Sequence, residues 1–83
     1  MTKMQTELSE PAVLIWDRVV HKGVRTKDGE PLGYIAAEIE ENIYVLSSRF
    51  REYRIPKSHV MTFDGSTVVL NVEFREVGQY RIS

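Results

Sequence analysis

Cysteine is absent from the 83 residues, which excludes both a disulfide framework and a thiolate metal site as supplements to the core. Long apolar runs are absent too. The longest strictly apolar run, AVLIW at Ala12 to Trp16, falls far short of the ~20 residues that cross a bilayer as a helix. Charge of one sign is not in excess: a formal net charge of −1 provides no field to hold nucleic acid or an anionic membrane surface. The five glycines are dispersed, so no phosphate-cradling loop is present, and no Gly-x-Ser-x-Gly elbow exposes a nucleophile. His21 and His59, the two histidines, stand in neither His-x-x-x-His nor Glu-x-x-His spacing, so a metal site would have to be assembled across strands from Glu38, Glu40 or Glu41. Ser58 adjoins His59, but sequence neighbours on a strand point apart. No catalytic, cofactor-binding or metal-ligating residue is assigned, and no cofactor is expected.

A helical period is also missing; what remains is strand and turn. Apolar residues make up 42% of the chain and charged residues 28%, which is globular composition for one domain. Such a short chain buries only about 60% of its unfolded surface, so its core is marginal. The opening MTKMQTELSEP lacks the apolar segment of a signal peptide. Residues 1–11 are expected as a flexible leader, and residues 12–83 as a single cytoplasmic β-barrel domain. Ala12 to Val20 is compatible with a strand or with one turn of helix.

VRTKDG at Val24 to Gly29 returns as VMTFDG at Val60 to Gly65. Both copies end in Asp-Gly, the dipeptide that closes hairpins because the turn needs positive φ. Their flanks, EPLGYI and STVVLN, diverge, so shared turn grammar explains the likeness better than a repeat array, which needs at least three copies. The strand after the first copy, Pro31 to Glu40, places Gly33, Ile35, Ala37 and Ile39 on one face, and Leu32, Tyr34, Ala36 and Glu38 on the other. Glu40-Glu41-Asn42 marks a turn, Ile43 to Leu46 a strand, and Ser47 to Arg51 a hairpin tip. Tyr53-Arg54-Ile55 is a strand halted by Pro56, which suits the first position of a helical turn over Pro56 to His59. Val68, Leu70, Val72 and Phe74 alternate with Val69, Asn71, Glu73 and Arg75 and are expected to face the core. About six short strands joined by hairpins predict an all-β fold: a small antiparallel six-stranded barrel with at most a short helical turn near Pro56.

GVRTKDGEPLGYI (Gly23 to Ile35), YRIPKSHV (Tyr53 to Val60) and DGSTVVL (Asp64 to Leu70) resemble the PRC-barrel family. Its pattern is a Gly-x-x-Val entry, an Asp-Gly hairpin, a Leu-Gly-x-Ile/Val strand, and an Ile-Pro that ends a strand before a Val-led one. The resemblance covers roughly residues 19 to 74. Its entry departs, because His21 stands where the family's glycine would and Gly23 lies two places late. The resemblance implies a barrel used mainly as an interaction module, as in a bacterial ribosome-maturation factor where it docks a ribosomal protein.

A non-enzymatic protein-interaction (adaptor) role is therefore expected, with a protein partner and a homodimer. Large aromatics at surfaces carry interface energy, which makes Trp16 and Phe50 candidate anchors, with Arg49 and Arg51 beside Phe50. In the C-terminal tail, Tyr80 and Ile82 resume an alternation. That tail is expected on the edge of a second copy, the other arrangement being a fold-back onto its own barrel. The alternative function is an RNA-associated module: Arg49, Arg51, Arg54 and Lys57 interleave with Phe50 and Tyr53 as in a single-strand platform. Glu52 interrupts that cluster, and nucleic acid is the less favoured partner. Insertion into a membrane is not expected.

Overall fold

A computed structural model describes residues 13–83; the leader expected over residues 1–11 lies outside the described residues. The chain is mostly β. Six strands, β1 (Gly23–Arg25), β2 (Pro31–Ile39), β3 (Asn42–Leu46), β4 (Glu52–Pro56), β5 (Val60–Phe63) and β6 (Thr67–Leu70), form one sheet in the order β4-β3-β2-β1-β6-β5. Three 3-10 segments accompany them: η1 (Trp16–Val19), η2 (Lys57–His59) and η3 (Phe74–Tyr80). Among the described residues, no helix is long and apolar enough to cross a membrane.

Both Asp-Gly dipeptides close hairpins, β1–β2 and β5–β6, with Gly29 at φ 88° and Gly65 at φ 98°. The two turns are secured differently. The Asp64 carboxylate accepts the Ser66 and Thr67 N–H groups at 2.9 and 2.8 Å. Asp28 instead takes the hydroxyl of Thr26, which is fully buried, and accepts the Phe74 N–H across the fold at 3.1 Å. One copy closes its own turn; the other also ties the first hairpin to η3.

The expected wholly antiparallel sheet requires correction. β1 and β6 run parallel, in register from Gly23↔Thr67 to Arg25↔Val69. They are joined through the other four strands and not by a hairpin, so turn geometry does not force opposite directions. No ladder joins β4 to β5, the two ends of the sheet. The chain also holds more than one helical turn: η2 lies where Pro56 predicted it, but η1 and η3 add two others.

Bulges account for the faces that strict alternation misses. Val24 pairs with Gly33 and Arg25 with Pro31, which leaves Leu32 unpaired; on the opposite edge Ile35 pairs with Val45 and Ala37 with Tyr44, which leaves Ala36 unpaired. Each extra residue shifts the phase by one and bends the strand. Leu32 and Ile35, three apart, are consequently both buried, and β2 curls around the core. That core gathers Val13, Val19, Val24, Leu32, Ile35, Ile43, Val45, Tyr53, Ile55, Val60, Val68, Leu70, Val72 and Val77.

Val68, Leu70 and Val72 face inward as expected, but Phe74 does not: it is 47% exposed. The chain leaves the sheet after Leu70, held by bonds from the Asn71 N–H to the His59 carbonyl and from the Lys27 N–H to the Val72 carbonyl. Glu73 and Glu76 then cap η3 reciprocally, which starts a helical turn where alternation predicted strand. The tail beyond it returns to the edge of β4 in its own chain. Arg81 bridges Tyr53, the Ile82 N–H reaches the Glu52 carbonyl at 2.8 Å, and the Glu52 N–H reaches the Ser83 carbonyl at 3.1 Å.

Candidate functional site: the β3–β4 tip and its cleft

The tip between β3 and β4 is a tightly bonded loop. The Ser47 N–H reaches the Arg51 carbonyl at 2.9 Å and the Phe50 N–H the Ser47 carbonyl at 3.0 Å. The Ser47 hydroxyl oxygen accepts the N–H groups of Arg49 and Arg51 at 3.3 and 3.2 Å. This geometry forces Phe50 to φ 62°, a left-handed conformation that short hairpin loops normally give to glycine and that costs a bulky residue about 1–2 kcal/mol. The side chain is 82% exposed. A large aromatic is thus presented to solvent from a strained, well-secured backbone.

Beside the tip lies an open cleft of about 370 Å³, lined by Pro31, Leu32, Ser47, Ser48, Arg49, Arg51, Tyr53 and Phe74. Its lining mixes apolar side chains (Pro31, Leu32, Tyr53, Phe74) with two serines and two arginines. Leu32 reaches it because of the bulge in β2, and Phe74 because the Phe74 N–H is held by Asp28. The Asp28 carboxyl lies below the usual aspartate range: the hydrogen bond from the Thr26 hydroxyl is the main cause, desolvation opposes it, and the Phe74 N–H adds to it. The Asp64 carboxyl is lowered as well, by the Ser66 and Thr67 N–H groups and the Ser66 hydroxyl.

Of the five residues expected to bind a partner, Arg49, Phe50 and Arg51 come together here. Trp16 and Tyr80 do not. Trp16 is half-buried against the core, with the Lys57 ammonium 4.9 Å from its ring centre. Lys57 in turn pairs with Glu38 at 2.6 Å. This group sits near the Asn42–Pro56 end of the β3–β4 ladder, whereas the tip follows the Leu46–Glu52 end, about 14 Å along β3. Tyr80 packs edge-on against His59, ring centres 5.5 Å apart, with its hydroxyl 3.1 Å from the His59 Nε2.

The basic and aromatic segment from Arg49 to Lys57 is likewise divided. Lys57 is engaged at the far end, Arg54 is exposed on β4, and Tyr53 is only 5% exposed, with no open ring face for a base. Sequence reasoning missed Pro31, Leu32, Ser47, Ser48, Tyr53 and Phe74 as lining residues. Tyr53 belonged to a noted cluster, but nothing local in the sequence marks the approach of Phe74 to the tip. No family model, curated protein or solved structure matches the chain.

Proposed function

We propose that this chain is a small non-enzymatic interaction domain of the PRC-barrel kind, which binds a partner protein through the β3–β4 tip. The observation that carries the reading is Phe50. A residue held in a strained conformation with its apolar side chain in water is a cost to folding, and such costs cluster at sites that bind. The surrounding chemistry is that of an interface: an aromatic anchor, two arginines and a partly apolar cleft, the composition enriched in interface centres.

Two features support the family and barrel parts of the proposal. His21, which occupies the place of the family's glycine, has φ 73°, the conformation that glycine serves best. Two bulges in β2 are of the kind that bends a strand, and η2 connects the two end strands of the sheet directly. A homodimer enters the proposal as exchange of the 81–83 tail, because a tail that bonds to β4 of its own chain makes the same bonds on a second copy.

The test is affinity capture from the native cell with the intact chain and with Phe50→Gly as baits. A protein retained by the first and lost with the second supports the reading. Equal retention by both removes the tip from it, and RNA as the retained species replaces it with the nucleic-acid alternative.

A further inference from the structure

We infer that the cleft beside the tip takes an extended acidic peptide segment of the partner, with one apolar or aromatic side chain in the cleft and flanking carboxylates on Arg49 and Arg51. The inference rests on the protein-interaction reading and names the chemistry of that partner. Among the described residues, the ion pairs are Lys57 with Glu38 and Arg75 with Glu73; neither arginine of the cleft belongs to one. Among the described residues, no acidic side chain lines the cleft. The carboxylates near Phe74 are engaged elsewhere: Asp28 with Thr26 and the Phe74 N–H, Glu73 with Arg75 and the η3 cap. Two guanidinium groups are therefore left to recruit carboxylates from outside, and planar guanidinium matches carboxylate geometry in a fork.

Glu52 follows Arg51 at this end of the ladder but is not among the lining residues, so the charges in the cleft itself are those of Arg49 and Arg51. Glu40 and Glu41 form the turn before Asn42, at the opposite end of β3, so in a chain of net charge −1 the cationic lining is local to the cleft. An acidic segment is drawn to the cleft and repelled from that turn, which fixes its orientation. The lining favours a side chain over a bare anion, since Pro31, Leu32, Tyr53 and Phe74 share the cleft with the two arginines. A volume of about 370 Å³ lies at the small end of ligand sites and suits a side chain or two. Nucleic acid is the weaker fit, because a phosphate chain needs a continued cationic track, and Lys57 is spent on Glu38.

The experiment is fluorescence polarisation with a short labelled peptide alternating glutamate with tyrosine and leucine, its lysine-for-glutamate counterpart, and a labelled single-stranded oligonucleotide. The proteins are the intact chain and the double variants Arg49→Gln/Arg51→Gln and Arg49→Glu/Arg51→Glu, each checked for native circular dichroism. Expected is salt-sensitive binding of the acidic peptide, weakened about tenfold or more in the Gln pair and abolished in the Glu pair, with no binding of the basic peptide. Tighter, arginine-dependent binding of the oligonucleotide overturns the inference. So does self-association by light scattering that is lost in the Glu pair, which assigns the cleft to a second copy. Failure of the acidic peptide while Phe50-dependent capture of a protein persists overturns this inference alone; failure of both removes the protein reading as well.

Discussion

Gly33→Ala is the substitution that most sharply tests how β2 meets β3. Gly33 has φ 153°, and a Cβ built there lies 2.2 Å from the Leu46 carbonyl oxygen, 2.8 Å from the Leu46 carbonyl carbon and 2.9 Å from the Ser47 Cα. All three are backbone atoms, so no side chain can swing aside. The new methyl must push the end of β3 away or force Gly33 out of its conformation. Overpacking of this kind costs about 1–3 kcal/mol, and a non-glycine residue in a glycine-only backbone region costs about 1–3 kcal/mol more. A total of about 2–6 kcal/mol is a large part of the roughly 4–12 kcal/mol that holds a domain of this size together. Gly29→Ala is the control. Its φ of 88° is also positive, but a Cβ there meets nothing within 4 Å, so only the left-handed strain of about 1–2 kcal/mol applies, reduced by the entropy alanine removes from the unfolded chain. Urea denaturation of both variants with a common slope reads the difference. A loss below about 1 kcal/mol for Gly33→Ala, or equal losses at the two positions, refutes the close approach of β2 and β3 at this point.

Other outcomes follow from the same geometry. Leu70→Ala, at a fully buried position, is expected to cost about 2–5 kcal/mol, whereas Phe74→Ala costs clearly less; equal losses in denaturation would return Phe74 to the core. Phe50→Gly is expected to stabilise the fold by up to about 1 kcal/mol, because relief of left-handed strain exceeds the entropic cost of glycine, and a fall in thermal midpoint would contradict that. The lowered carboxyl of Asp28 contributes stability that is complete above the ordinary aspartate value of 3.8 and is lost as pH falls through the lower folded value. Asp28→Asn should therefore flatten the loss of thermal stability on acidification below about pH 4, and an unchanged acid profile would discount the Asp28 link to η3. Deletion of Arg81 to Ser83 removes the exchanged tail and is expected to leave a monomer in light scattering; a dimer unchanged by the deletion moves the interface elsewhere, and a full-length monomer at every micromolar concentration removes the homodimer.

The strands and both Asp-Gly turns were legible because they depend on local chemistry: alternation for β6, positive φ at Gly29 and Gly65, and Pro56 ahead of η2. What escaped depends on contacts far apart in the chain. The bulges at Leu32 and Ala36 leave no mark in an alternation that still reads smoothly. The parallel pairing of β1 with β6 is a choice made by packing and not by any turn. Phe74 was misassigned because it continues the apolar phase of Val68, Leu70 and Val72, while the reciprocal Glu73–Glu76 cap that breaks the phase was overlooked, although the two glutamates stand at capping spacing. At the tip, sequence adjacency alone grouped Arg49, Phe50 and Arg51. The cleft beside them needed the fold, which brings Pro31, Leu32 and Phe74 to the same place and sends Lys57 to the other end.

The most direct test of the tip as an interface is photo-crosslinking in the native cell, with a photoreactive phenylalanine analogue in place of Phe50 and, separately, in place of Met61. Met61 is the unpaired bulge residue of β5 and is also exposed, so it controls for exposure alone. A discrete protein adduct from position 50 and none from position 61 is the expected result. Adducts of equal yield from both positions, or an adduct from position 50 that ribonuclease removes, would contradict a protein-binding tip.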